Sequence, residues 1–125
     1  MVLTGVWNGG LSIMASSALK ILRKLSREEA FCFFISIGNY IGESAASLEE
    51  FVKKIGEVDT KSLEFHLCRG DFEKWVAEVL GDEKLAEQVK GSRNLGLTGD
   101  ALRVQLYGVV LKRCEELKRG FQTFS

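Results

Sequence analysis

Proline is absent from the 125 residues, histidine occurs once, and 17 basic side chains set against 17 acidic ones leave no net charge. Each shortage excludes something. Without proline the helices must be ended by other residues, and the 13 glycines can take the left-handed turn that closes a helix. A neutral chain has no overall attraction for nucleic acid or an anionic membrane. The three cysteines, Cys32, Cys68 and Cys114, are an odd number with no close pair, which predicts reduced, buried thiols in a reducing compartment. No run approaches the roughly 18 apolar residues that span a bilayer, and the N-terminus lacks the basic-then-apolar order of a secretory signal. A cytoplasmic protein is expected. Its length and 46% hydrophobic content suit one domain that buries roughly two thirds of its unfolded surface.

What is present is organised around residues 58–86. From Asp71 to Gly81, Phe72, Trp75, Val76, Val79 and Leu80 recur at helical spacing and share one face. Asp71 is placed to cap this helix and Gly81 to end it. Asp82 follows as the next N-cap, and Leu85, Ala86 and Val89 face inward from the helix it opens. Upstream, Asp59 caps a helix from Thr60 to about Arg69 that carries Leu63, His66 and Leu67 on one side and stops at Gly70. A short strand through Leu63, Phe65 and Leu67 is the alternative, but it leaves both end signals unused.

Around this centre, residues 1–13 show no periodicity and read as an N-terminal extension, which leaves 14–125 as a single helical domain. Residues 17–25 form a short basic amphipathic helix with Leu19, Leu22 and Ile21 inward. Ser26 and Glu29 match a capping box, which predicts a helix through Ala30–Ile37. The alternation of Phe31, Phe33, Ile35 and Ile37, with Gly38-Asn39 as a turn, offers a hairpin at 31–46 instead. Ser47 and Glu50 form a second capping box ahead of a helix that buries Leu48, Phe51, Val52 and Ile55. A long glycine-bearing loop, 91–100, precedes a last helix capped by Thr98. This helix is apolar on nearly every side from Val104 to Leu111, as suits a central strut or half of a dimer interface. Basic residues cluster toward both ends and acidic ones between 28 and 59, which suits either basic ends lying against an acidic middle or solvated charged faces.

The succession Ser47-Leu-Glu-Glu-Phe51, Ser62-Leu-Glu-Phe-His66, Gly70-Asp-Phe-Glu-Lys-Trp-Val76 and Leu80-Gly-Asp-Glu-Lys-Leu-Ala86 resembles a family of uncharacterised domains of archaea and some bacteria. The resemblance covers roughly residues 30–90. It implies a prokaryotic, by preference archaeal, cytoplasmic source, marks His66, Asp71, Phe72 and Trp75 as the motif, and brings no activity with it.

Candidate chemistry centres on His66, Asp71 and Trp75. An imidazole beside a carboxylate is the beginning of an acid–base pair, but no nucleophile in a recognisable context accompanies it. His66 packed against Trp75, with its ring bonded to a cap or carbonyl, is the expectation. Cys68 would point roughly 160° away from His66 on a helix, so no metal is expected, and no cofactor either. The loop at 91–100 offers backbone amides to an anion, with Ser92, Arg93 and Asn94 beside them, but it lacks the Gly-Lys-Ser/Thr ending of a phosphate loop. Arg69-Gly70-Asp71 spells an adhesion tripeptide by coincidence. Lys112, Arg113, Lys118 and Arg119 are interleaved with Glu115 and Glu116, a solvated face rather than a phosphate track.

The sequence therefore predicts an all-α bundle of five to seven short helices crossing steeply, with α+β as the alternative if 31–46 is a hairpin. Phe51, Phe72, Trp75, Val79, Leu106 and Val110 are the expected core. The expected function is a non-enzymatic interaction or regulatory module that acts on a protein partner or on a second copy of itself. A small ligand-binding domain or enzyme using His66 comes second, and nucleic-acid binding through the basic helices third.

Overall fold

The computed structural model describes residues 17–122; the expected extension at 1–13 lies outside them. A helix over residues 17–22 (α1) is followed by a two-stranded antiparallel hairpin, β1 (Phe31–Phe34) and β2 (Tyr40–Ala45). Then come α2 (Leu48–Glu57), α3 (Thr60–Arg69), α4 (Asp71–Trp75) continued by a π-helical turn over Val76–Leu80, α5 (Glu83–Arg93) and α6 (Gly99–Gln122). The all-α expectation is thereby corrected. The domain is mostly helical with one short hairpin, at the place the alternative assigned it.

The hairpin replaces the expected helix at 30–37 because two side chains of the central stretch take backbone groups that a helix would have used. The carbonyl of Glu29 accepts the indole N–H of Trp75 at 2.8 Å, where a helix would direct the N–H of Phe33 to it. The N–H of Phe34, which a helix would send to Ala30, donates to His66 Nε2 at 2.8 Å. Only half of the capping box forms: Glu29 Oε1 accepts the backbone N–H of Ser26 at 3.4 Å, but the N–H of Glu29 goes to the Ser26 carbonyl and not to its hydroxyl, and the segment closes only a turn. Once extended, β1 buries Phe31 and Phe33 and leaves Cys32 exposed. The ring of Phe31 then lies 4.8–5.8 Å from those of Phe33, Phe51, His66, Phe72 and Trp75. Contacts of this density, each worth roughly 0.5–1.5 kcal/mol beyond area burial, are out of reach for a helix that must place Phe31 and Phe33 on different sides.

Gly38 turns the hairpin with φ +74°, and Gly42, φ +81°, lies in the irregular stretch of β2 where Cys32 pairs with Ser44 but Phe34 pairs with Tyr40. The helices keep most of their expected ends. Ser47, Asp59 and Asp82 each accept a backbone N–H as N-caps, and Gly70 and Gly81 are left-handed stops. Leu48, Phe51, Val52 and Ile55 are buried along α2, and Leu85, Ala86 and Val89 along α5.

Other expectations need correction. In α1 Ile21 is buried and Leu22 half-buried, but Leu19 is exposed. Val79 is half-buried, since the π turn places Val76 and Leu80 in the core. The helix α5 runs on to Arg93, shortening the loop before α6. Only Cys114 of the three cysteines is buried.

Leu102, Leu106 and Val110 of α6 are buried against the other helices. The opposite side of α6 is not, and Val104 is 72% exposed. Basic ends do meet the acidic middle, through Lys24–Glu50 and Lys118–Glu49, each at 2.6 Å. A more deeply placed pair was not legible in sequence: Arg113 of α6 grips the carboxylate of Asp82, 2.7 Å from Nε to Oδ2 and 3.2 Å from Nη2 to Oδ1, and Asp82 is only 2% exposed.

Candidate functional site

The corner between α3 and α4 is one residue wide. Gly70, at φ +78°, both ends α3 and occupies the N-cap position of α4. Asp71 is therefore not the cap it was expected to be, and no side chain caps α4. Its carboxylate turns back, and Oδ2 receives His66 Nδ1 at 2.8 Å and Arg69 Nε at 3.0 Å.

The bonding fixes the state of the imidazole. An amide N–H can only donate, so His66 Nε2, 2.8 Å from the nitrogen of Phe34, must offer a lone pair. The ring proton then resides on Nδ1 and points at Asp71. The ring is 3% exposed. Burial pushes its pKa below the ordinary value, against the opposing hydrogen bond and charge of Asp71. Protonating Nε2 would also set two donors against each other at Phe34. His66 is thus a neutral brace that ties β1 to α3 and, through Asp71, to α4. Its expected stacking partner also differs, because the rings packed around it are Phe31, Phe33, Phe34, Phe65 and Phe72. Trp75 is bonded to Glu29 instead.

The three singled-out residues do converge. His66, Asp71 and Trp75 line one cleft of about 450 Å³ between the hairpin and the α3–α4 corner. Phe34, Ile37, Phe65 and Val79 stand in its apolar wall, Arg69, Lys74 and Glu78 join Asp71 as its charged groups, and Cys32 also lines it. Ile37, at the hairpin tip, is 76% exposed. Sequence reasoning missed the contribution of the hairpin, although the alternation of Phe31, Phe33, Ile35 and Ile37 was its signal. The π turn places Glu78 and Val79 on the cleft wall, and such turns recur at functional sites. The carbonyl of Val79 is held by Arg23 Nη2 at 2.8 Å.

Other candidates disperse. Cys68 lines a separate hollow with Leu67, Arg93 and Leu102, away from the His66–Asp71 bond. At the start of α6 the N–H of Gly99 already donates to Glu64 Oε2 at 2.7 Å. Arg93 is paired with Glu73, and the Ser92 hydroxyl with Gln88 and Gln105, so these two candidate anion-holding groups are engaged internally. In the basic last helix, Arg113 is held by Asp82 and Lys118 by Glu49. Among the described residues no helix is long and apolar enough to cross a membrane. Compared with models of known protein families, with curated proteins and with solved structures, the chain matches none.

Proposed function

We propose that this domain is a non-enzymatic binding module whose binding surface is the cleft beneath the hairpin. The observation that carries this reading is that both ring nitrogens of His66 are consumed by internal hydrogen bonds, while the ring stands in the wall of a cleft of about 450 Å³. An imidazole in that position holds a wall and has no lone pair with which to take a proton from a ligand. The cleft falls within the roughly 300–1,000 Å³ typical of small-molecule sites and shares their largely apolar lining with a few charged groups. Amide and indole N–H resonances of the ¹⁵N-labelled chain, recorded with neutral 2-naphthamide, test the reading. Shifts concentrated at Phe34, Ile37, Val79 and the Trp75 indole are expected. Shifts scattered over the surface, or none at millimolar probe, would contradict it.

Self-association through α6 is a second reading, favoured by the outward exposure of Val104 and Tyr107 on a helix whose other side is core. It predicts a concentration-dependent sedimentation coefficient that Val104→Lys abolishes. A strict monomer removes it.

A further inference from the structure

We infer that the ligand of this cleft is a small organic acid, with a flat apolar body lying against the aromatic wall and a single carboxylate received by Arg69 and Lys74; this rests on the cleft being the binding surface.

The charges at the cleft are not equivalent. Asp71 is spent on His66 and Arg69. Arg69 gives only its Nε to that carboxylate, and its guanidinium carbon stands 5.2 Å from the centre of the Phe65 ring. One hydrogen bond and one ring contact therefore hold the group in place, while among the described residues its two terminal nitrogens donate to no acceptor. A guanidinium fixed in this way presents the parallel pair of N–H donors that matches a carboxylate. Lys74, one turn beyond Asp71 on α4, is exposed and forms no ion pair among the described residues. The remaining charge is Glu78, which follows Lys74 by one more helical turn and stands next to Val79. An anion is thus attracted at the Arg69–Lys74 end and repelled at the Glu78 end, where the apolar body meets Val79. The aromatic groups, with Phe31, Phe34, Phe65 and Trp75 among the lining residues, suit a ring better than a flexible chain. The volume accommodates one such molecule rather than a folded partner.

The test compares 2-naphthoate with 2-naphthamide, which share a ring system and differ in charge, by calorimetric titration and by ¹⁵N shifts on the full chain at neutral pH and low salt. Naphthoate is expected to bind about tenfold more tightly, as charge-assisted hydrogen bonds allow. Arg69→Gln is expected to erase that preference, Lys74→Gln to reduce it several-fold and Glu78→Gln to increase it. Lys74 and Glu78 make no bond on which the fold depends, so these two variants keep the test open should Arg69→Gln unfold. Equal affinity for the two probes, with shifts still centred on the cleft, overturns the acid inference and leaves the binding-module reading standing. Absence of cleft shifts with either probe overturns both. A peptide ending in phenylalanine with a free C-terminus is the third arm. If it binds more tightly than naphthoate, and its C-terminal amide does not, the carboxylate belongs to a protein terminus and the small-acid assignment is overturned.

Discussion

The indole N–H of Trp75 donates to the carbonyl of Glu29 across 2.8 Å, joining residues 46 positions apart just where the chain leaves a helical turn and becomes β1. This bond and the one from Phe34 to His66 convert a segment with helix-starting chemistry into a strand. Trp75→Phe keeps most of the ring and loses the donor. It is expected to cost about 1–2 kcal/mol, with faster amide exchange in β1 than in α6; uniform acceleration across the chain would show that the bond does not act on the hairpin.

His66 links stability to pH. Burial, only partly offset by Asp71, lowers its folded pKa below the ordinary 6.5. Between that value and the lower folded one, the unfolded chain binds more protons than the folded chain. The contribution of His66 is therefore fully present above about pH 6.5 and is lost as pH falls through the folded value. Urea midpoints are expected to decline from pH 7 to pH 5, with a shallower slope in His66→Gln. A midpoint that rises over this range would reverse the sign assigned here.

Arg113 and Asp82 form the deepest ion pair described, and Asp82 also accepts the N–H of Leu85 at 3.1 Å as the cap of α5. Arg113→Leu strands a buried carboxylate and is expected to cost about 3–5 kcal/mol. Adding Asp82→Ser removes the stranded charge and keeps a capping oxygen, so the double variant is expected to recover much of the loss. Thermal denaturation of the two proteins decides the matter, and equal midpoints would contradict it.

The hydroxyl of Ser62 is buried and finds no hydrogen-bond partner among the described residues. Leaving such a group unsatisfied costs roughly 1–3 kcal/mol. Ser62→Ala is expected to raise stability by about 1 kcal/mol, read from chemical denaturation. A loss of stability would mean that the hydroxyl serves a contact in the folded state.

The starts of α2, α3 and α5 were legible because their signals are local. Ser47, Asp59 and Asp82 cap them through side chains within three residues, and Gly70 and Gly81 end turns through their own backbone freedom. The hairpin ranks second in the sequence because its competing local signal, Ser26 with Glu29, is genuine and half forms. What overrode it are partners 32 and 46 residues away, which periodicity cannot register. The His66–Asp71 pairing was visible from their closeness across Gly70. The cleft was not, because Ile37 and Phe34 come from a segment whose extended state depends on those same distant bonds. The Asp82–Arg113 pair was hidden for the same reason, its partners standing 31 positions apart.

His66 is a neutral brace, and as the only histidine of the chain its ring can be observed without ambiguity. Long-range ¹H–¹⁵N correlation of the imidazole at pH 7 reports the protonation of each nitrogen. A protonated Nδ1, with Nε2 bare and hydrogen-bonded to the Phe34 amide, is the predicted result; a proton on Nε2, in the neutral ring or in a cation, would contradict it.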